Sequence, residues 1–189
     1  MSRFAVTPDC RKERPIDRLN DPVVLVDAED RPTGTLGKLA AHRRGLRHSA
    51  VSVIVRDRAG RLMLQRRHPD KYHSGGLWAN ACCGHPRPDE SPARAAVRRL
   101  KEEMGLAWPL AFAFRTEYRA AVTDGLTEHE IVHVFAGAFD GDPRPDPGEV
   151  AGWCWLTPDA LRCSVEHNPE RFTIWFRIYV RDYWPLVAA

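Results

Sequence analysis

The segment at positions 84–106 constrains the fold of this chain most, because it specifies a loop that leads into an amphipathic helix. Ser91 and Pro92 are residue types preferred at the N-cap and at the first position of a helix. Apolar residues then recur at helical spacing and stop before Gly105, a residue suited to a helix C-terminus; they are Ala96, Val97, Leu100 and Met104. We therefore predict a helix between Ser91 and Gly105 with one apolar face.

Short β-rich runs separated by turn residues account for much of the remaining chain. We predict strands at 23–26, 50–56, 61–67, 115–121 and 130–139. The turn sequence at 57–60 predicts that the second and third of these strands form a hairpin. The segment 67–88 has many Gly, Pro and His residues and no helical period, so it is predicted to be a long loop.

Three other segments complete the predicted arrangement. A helix is predicted to start at Thr157–Pro158, another is predicted at 172–184, and 37–42 is compatible with either a helix or a strand. Strands and helices interleave without strict alternation. The fold class is therefore α+β, an α/β/α arrangement in which helices flank a mixed β-sheet.

Length and composition indicate one ordinary globular domain. The chain has 189 residues, of which 28% are charged and 43% are hydrophobic. Residues 1–20 are charged and proline-rich and predict a flexible N-terminal arm, which leaves 21–189 as a single domain. The net charge is only +3 and the arginines are dispersed, so we expect no nucleic acid partner.

The cysteines and the apolar runs bear on the cellular compartment. Five cysteines without regular spacing argue against a disulfide scaffold. No run approaches the roughly 20 apolar residues that cross a bilayer. We expect a cytoplasmic protein with reduced thiols and no membrane partner.

The 84–106 segment resembles the Nudix signature, and the matching residues are Gly84, Glu90, Arg98, Leu100, Glu102, Glu103, Gly105 and Leu106. It departs from that signature at Arg99, where the hydrolases of the family carry a metal-binding glutamate. With Cys83 in the sequence Leu-Trp-Ala-Asn-Ala-Cys-Cys-Gly-His-Pro, the chain resembles the type 1 isopentenyl-diphosphate isomerases over 23–184. The resemblance implies a Nudix-like fold and a 1,3-allylic rearrangement of isopentenyl diphosphate to dimethylallyl diphosphate.

The resemblance implies a metal-binding role for a pair of acidic residues. Glu128 and Glu130 project from one face of a predicted strand because side chains alternate, although such a pair alone is most often a solvated strand edge. The resemblance implies that both hold one metal ion together with three histidines, His42, His48 and His85. Such a mixed set suits Mn²⁺ or Zn²⁺ better than Mg²⁺. We interpret the other histidines as core or surface residues: His68, His73, His129, His133 and His167.

The resemblance also implies a Mg²⁺ ion that touches the substrate diphosphate, with Glu103 and Cys83 at its site. Glu102 is interpreted instead as the surface ion-pair partner of Arg98, one turn earlier in the helix. The residues implied to bind the substrate include four cations that suit a diphosphate and one ring that suits a carbocation; they are Lys38, Arg67, Lys71, Arg99 and Trp175.

The implied reaction requires two opposed groups. One protonates the alkene and the other removes a proton, with a tertiary carbocation between the two steps. The resemblance assigns these roles to Cys83 and Glu130, and a proton relay to Tyr118. A thiol near cations is expected to have a lowered pKa. Its neighbour Cys82 is expected to be a small buried hydrophobic residue.

Two functions of other classes remain open. A Nudix hydrolase of nucleoside diphosphate derivatives could use Glu90, Glu102 and Glu103 as partial metal ligands, although Arg99 and Cys83 argue against it. A non-catalytic binding module is supported only by the slight basic excess. The sequence is compatible with a monomer or a homodimer.

Overall fold

The computed structural model describes residues 20–188, and within them the chain forms nine strands and five α-helices. Apart from Asn20, the predicted arm at 1–20 lies outside the described residues, so the boundary at 20/21 stays a prediction. The strands are β1 (Pro22–Val26), β2 (Pro32–Gly37), β3 (His48–Arg56), β4 (Leu62–Arg67), β5 (Trp78–Asn80), β6 (Cys82–Gly84), β7 (Ala111–Ala121), β8 (Thr127–Ala138) and β9 (Val150–Leu156). The helices are α1 (Lys38–Arg44), α2 (Pro92–Met104), α3 (Pro158–His167), α4 (Ile174–Asp182) and α5 (Trp184–Ala188).

All nine strands join one mixed sheet, with β3 near its centre. Strand β3 pairs in parallel with β8 and antiparallel with β6. Strand β8 also pairs antiparallel with β7, and β4 pairs antiparallel with β5 and β9. Every residue of β3 except Arg56 is buried, as expected for a strand covered on both faces.

Helices cover both faces of this sheet. Ile54 of β3 belongs to a core that contains Phe176 and Tyr179 of α4, whereas Val53 belongs to a second core that contains Leu100 of α2. Consecutive residues of a strand point to opposite faces, so one strand contributes to both cores. The α+β fold class with a mixed sheet flanked by helices is therefore confirmed. No helix between residues 20 and 188 combines the length and apolar character needed to span a bilayer.

The predicted helix at 91–105 is confirmed. The Ser91 hydroxyl accepts a hydrogen bond from the Arg94 amide at 3.4 Å, and Gly105 ends the helix with φ of 70°. The helix predicted from Thr157–Pro158 is also confirmed as α3. The helix predicted at 172–184 is shorter, since α4 ends at Asp182 and a separate helix follows.

The hairpin predicted from 50–56 and 61–67 is correct only at its turn. Asp57 and Arg61 pair across that turn, and Gly60 adopts a positive φ of 75°. The two strands share only the Arg56–Leu62 pair and then diverge. The reason is that β3 completes its hydrogen bonds with β6 and β8, whereas β4 completes its own with β5 and β9.

The prediction of an uninterrupted loop at 67–88 is wrong, because β5 and β6 lie inside it. Three-residue strands are too short to display a periodicity in sequence. Tertiary pairing creates them: β5 pairs with β4, and Cys83 of β6 lies opposite Ser52 of β3. The remaining segment, 68–77, folds back tightly because the absent side chain of Gly75 admits the Pro69 carbonyl, which a Cβ would approach to 2.2 Å.

Candidate active site

Three adjacent strands bring the chemically active side chains together. The parallel register of β3 and β8 aligns His48 with Glu130, and the antiparallel register of β3 and β6 aligns Ser52 with Cys83. A cavity of about 630 Å³ opens beside these strands. Its lining includes most of the residues predicted for the site, namely Lys38, Arg67, Lys71, Cys83, His85, Arg99, Glu103, Tyr118, Glu128, Glu130 and Trp175.

The two remaining predicted site residues, His42 and His48, belong to a cluster of imidazoles and a carboxylate. One potential ligand atom from each of His42, His48, His85 and Glu130 lies within 4.8 Å of every other. Nε2 of His85 lies 3.0 Å from Glu130 Oε1, and Nε2 of His48 lies 3.4 Å from the same oxygen. These four predicted metal ligands therefore converge on one point.

The histidines are held so that one nitrogen faces the cluster. Nδ1 of His42 lies 2.7 Å from the Lys38 carbonyl, one helical turn earlier, and Nδ1 of His48 lies 2.8 Å from the Leu46 carbonyl. Because a carbonyl only accepts hydrogen bonds, Nδ1 donates in both rings, and in a neutral ring Nε2 then presents its lone pair. Backbone support of the non-ligating nitrogen is common in metal-binding histidines.

Two buried carboxylates share one tyrosine hydroxyl. Tyr118 Oη lies 2.8 Å from Glu130 Oε2 and 2.9 Å from Glu128 Oε2. Burial, with the charge of Glu130 added to it, raises the pKa of Glu128 well above its usual range. Burial opposes ionisation of Glu130 too, but the imidazoles of His48 and His85 hold the pKa of Glu130 well below its usual range. Of the two carboxyls, Glu130 is therefore the one that favours the ionised form, and Glu128 is the one that favours the protonated form.

Glu128 contacts a histidine that had been interpreted as a core or surface residue. Potential ligand atoms of His42, His73 and Glu128 lie within 4.8 Å of one another, so His42 joins this group to the first. His73 is buried, and its Nε2 lies 3.3 Å from Glu128 Oε1. Sequence reasoning missed His73 because it lies on the 68–77 segment, whose path depends on tertiary contacts.

The cluster fits a divalent metal ion. Nε2 of His48 is buried and has no hydrogen-bond partner among residues 20–188, which is costly unless a ligand satisfies it. Burial lowers the pKa of His85 to about 3, so that ring is neutral and able to coordinate. Imidazole nitrogens beside carboxylate oxygens are ligands that borderline divalent ions accept.

Cys83 lies within a small hydrogen-bond network. Its thiol donates to Asn80 Oδ1 at 3.4 Å and lies 3.3 Å from Ser52 Oγ. Asn80 in turn donates through Nδ2 to Ser52 Oγ at 2.9 Å. Ser52 and Asn80 were missed by sequence reasoning, although Asn80 stands only three residues before Cys83. Cys82 is fully buried, as predicted.

The expected lowering of the Cys83 pKa is wrong. Burial raises the pKa of this thiol to about 12, and the carboxylates of Glu103 and Glu130 act in the same direction. The hydrogen bond from Ser52 and the charge of Arg67 oppose this shift but are the weaker effects. Cys83 is therefore a protonated thiol at neutral pH in the metal-free protein.

The basic residues lie at the other end of the cavity. Lys71 pairs with Glu149, and Arg99 pairs with Glu103 and also donates to Glu102 at 2.5 Å. Burial lowers the pKa of Lys38 to about 8, with the nearby cations Lys71 and Arg99 as further causes. This end of the cavity concentrates positive charge in a desolvated place, as an anion-binding site requires.

The signature helix α2 supplies the carboxylates of this end. Glu103 is buried and accepts a hydrogen bond from Gln65 Nε2 at 2.7 Å, which holds it beside Arg99. Glu102 accepts from Arg98 at 3.3 Å, as interpreted from the sequence, and from Arg99 as well. Glu149, also buried, comes from the loop before β9 and had no sequence signal.

Arg67 and Trp175 contact each other in the cavity, between the metal-ligand cluster and the basic residues. The Arg67 guanidinium lies over the Trp175 ring, 5.2 Å from its centroid. Arg67 Nε and Trp175 Nε1 are buried without a hydrogen-bond partner among the described residues. Both residues also line the cavity.

Comparison with known proteins gives a consistent family relationship. The NUDIX domain model matches residues 46–176. Isopentenyl-diphosphate Delta-isomerase 1 of Aromatoleum aromaticum is 48% identical over 83% of this chain and 89% of its own length. The isomerases of Burkholderia multivorans and Serratia proteamaculans are 48% and 44% identical; the matches cover 86% and 87% of this chain and 92% of each relative.

Solved structures support the fold alone. DR0079 from Deinococcus radiodurans superposes with a TM-score of 0.71 at 20% identity, covering 85% of this chain and 97% of its own. The MutT protein from Methanosarcina mazei superposes with a TM-score of 0.60 at 20% identity, covering 74% and 93%.

Proposed function

Because this chain belongs to the isopentenyl-diphosphate Delta-isomerase family of NUDIX domain proteins, we propose that it interconverts isopentenyl diphosphate and dimethylallyl diphosphate. The observation that carries this proposal is a protonated thiol, Cys83, and a carboxylate, Glu130, lining one cavity beside a cluster of cations. A thiol has no role in hydrolysis of a diphosphate, whereas a 1,3-proton shift needs two groups that exchange protons with carbon.

In the proposed reaction one group adds a proton to the terminal CH₂ carbon of the alkene. The π electrons form the new C–H bond and leave a tertiary carbocation at the branched carbon. The opposed group then removes a proton from the adjacent CH₂, and that C–H electron pair becomes the new double bond. Cys83 and Glu130 are the proposed pair, and they exchange roles when the reaction runs in reverse.

Two other side chains beside the metal-ligand cluster are proposed to assist the proton transfers. The Tyr118 hydroxyl, within 2.9 Å of both Glu128 and Glu130, is the proposed relay between these carboxylates. Trp175 is the proposed partner of the carbocation, since an aromatic face attracts a desolvated cation by roughly 2 kcal/mol. The Arg67 guanidinium lies over that ring. We infer that Arg67 turns toward the diphosphate when the substrate enters.

The metal centre that we propose contains His42, His48, His85, Glu128 and Glu130, and Mn²⁺ or Zn²⁺ fits these donors best. When bound, the ion would supply positive charge that makes a proton on a ligated carboxylate more acidic. A position of the ion beside Glu130 is supported by His42 and His48, whose Nε2 atoms face the cluster.

The diphosphate end is proposed to use Lys38, Arg67, Lys71 and Arg99. A Mg²⁺ ion with the diphosphate is proposed to lie near Glu103 and Cys83, both of which line the cavity. In the absence of substrate the anions Glu103 and Glu149 neutralise Arg99 and Lys71. Binding of a diphosphate would therefore replace these carboxylate partners of Arg99 and Lys71 with phosphate oxygens. We further propose that the protein acts in the cytoplasm as a monomer or homodimer.

The competing function, hydrolysis of nucleoside diphosphate derivatives, is disfavoured by Arg99. Its guanidinium pairs with both Glu102 and Glu103, the carboxylates that hydrolysis would need as metal ligands. A cation between them reduces the charge available to a metal ion.

The direct test incubates purified protein with isopentenyl diphosphate and follows the product by ¹H NMR. We expect dimethylallyl diphosphate to accumulate to an equilibrium mixture, and conversion to stop when a chelator removes the metal. A parallel incubation with a nucleoside diphosphate panel should release no phosphate. Phosphate release without any isomerisation would overturn the proposal in favour of a hydrolase.

A further inference from the structure

We propose that His73 is a fourth histidine ligand of the metal centre, in addition to the ligands that the family resemblance implies. This inference rests on the proposed function only in assuming that the centre binds a divalent ion. The carrying observation is the second ligand group, in which atoms of His42, His73 and Glu128 lie within 4.8 Å of one another.

The position of His73 resembles that of the other ligand histidines. Its Nδ1 lies 3.2 Å from Ser74 Oγ, while its Nε2 lies 3.3 Å from Glu128 Oε1. His42 and His48 show a similar arrangement, with Nδ1 beside an oxygen, there a backbone carbonyl, and Nε2 turned inward. A hydrogen bond at one ring nitrogen orients the other nitrogen toward a metal ion.

His73 is buried with the other proposed ligands. Only 5% of its surface is exposed. An imidazole that keeps a lone pair on one ring nitrogen can coordinate a metal ion. With Glu128 and Glu130 each giving one oxygen, four histidines would complete six ligands without any solvent ligand.

The ring is held in place by the cavity wall. Its centroid lies 5.6 Å from that of His42, 4.3 Å from that of Tyr72 and 6.1 Å from that of Trp175. Arg67 donates to the His73 carbonyl at 3.3 Å. Through His73 the metal centre is therefore linked to the 68–77 segment, which also carries Lys71 of the diphosphate end.

The alternative role for His73 is to orient Glu128 by a hydrogen bond without touching the metal. The two roles differ in the number of nitrogen atoms bound to the ion. Cobalt(II) reports the loss of a nitrogen ligand, because its visible bands shift when oxygen replaces nitrogen and strengthen when the coordination number falls from six to five. The test therefore uses Co²⁺ alone as the probe and needs no substrate.

The experiment compares wild type with His73→Ala and with His73→Phe, which retains an aromatic ring should the alanine variant fold poorly. We expect Co²⁺ affinity, measured by chelator competition, to fall at least about tenfold in both, and the visible bands to shift or strengthen. The matched control is His133→Ala, since His133 lies 2.9 Å from Asp30 in a separate pair. It should retain both the affinity and the spectrum.

Two outcomes would overturn the proposal. One is unchanged Co²⁺ affinity in the His73 variants. The other is weakened affinity with the wild-type spectrum, because that combination means that His73 only orients Glu128. Isomerisation by the wild-type protein is measured separately. If the wild type binds Co²⁺ through four histidines but does not isomerise isopentenyl diphosphate, the proposed function fails while this inference stands.

Discussion

The thiol of Cys83 illustrates how burial and hydrogen bonding determine the chemistry of one residue. Its neighbours Ser52 and Asn80 orient the sulfur, and the surrounding core keeps it protonated, with a pKa raised to about 12. Sequence reasoning identified Cys83 from its motif but assigned the wrong direction to its pKa. It weighed nearby cations, whereas the dominant effect is desolvation, which depends on the complete fold.

Replacement of Cys83 tests its role. Cys83→Ala should reduce kcat for isomerisation by about 100-fold to 10,000-fold, the usual contribution of a general acid or base. Metal content should remain near normal because no metal ligand of the histidine cluster is removed. The matched control is Cys82→Ala, which removes the neighbouring buried sulfur that faces the other core. Substantial turnover in Cys83→Ala would remove the thiol from the mechanism.

Lys38 should make substrate binding depend on pH. Burial and two neighbouring cations lower the pKa of Lys38 to about 8, so the amine is charged below that pH and neutral above it. The loss of one cation should raise the KM for isopentenyl diphosphate as the pH rises through about 8, as the Lys38 value indicates. Lys38→Arg keeps its charge in this range, so its KM should lack this rise. The same rise in KM in Lys38→Arg would attribute it to another group.

At the scale of elements, the sequence predicted those that local signals define and missed those that tertiary pairing defines. Helix α2 was found because caps and an apolar stripe mark it. Strands β5 and β6 were missed because three residues carry no periodicity, and the β3–β4 hairpin was wrong because each strand finds other partners. The same limit applies to the site: motif residues were found, whereas Asn80, His73 and Glu149 come together only through the fold.

A methyl group added at Gly84 of β6 should destabilise its contact with α2. A Cβ at Gly84 would lie 2.7 Å from Arg99 Cγ, so Gly84→Ala must displace Arg99 or the strand. We expect Gly84→Ala to cost about 1–3 kcal/mol of unfolding free energy and to raise KM, measured by denaturant titration and steady-state kinetics.

The control for this change is Gly152→Ala in β9. Nothing lies within 4 Å of a Cβ at Gly152, and its φ is not positive. We expect its stability and KM to stay close to wild type. Equal losses in both variants would mean that the Gly84–Arg99 contact has no special importance.

At the scale of the whole molecule, one cavity contains two chemical environments, the metal-ligand cluster at one end and the basic residues at the other. Strands β3, β6 and β8 carry His48, the thiol of Cys83 and the carboxylates of Glu128 and Glu130, whereas the helix α2 carries Glu103 and Arg99. The 68–77 segment reaches both ends through His73 and Lys71. We expect metal binding and substrate binding to be coupled through this segment.

Metal binding should release a proton and should therefore weaken as the pH falls. Burial and the charge of Glu130 raise the pKa of Glu128 well above its usual range, which favours its protonated form. Coordination requires its anion, and a lower pH favours the competing proton. Calorimetric titration with Mn²⁺ in buffers of different ionisation enthalpy would measure the proton release. An affinity that does not fall as the pH is lowered would contradict competition between the ion and a proton on Glu128.

Isomerisation of isopentenyl diphosphate in D₂O tests the central proposal most directly. Protons on the thiol and carboxylate exchange with solvent, so protonation of the alkene by either group should introduce deuterium into a methyl group of dimethylallyl diphosphate. We expect mass spectrometry and ¹H NMR to detect this label with the wild type, and to detect far less product and label with Cys83→Ala over the same time. Product formed without deuterium would contradict a mechanism of protonation and deprotonation by these side chains.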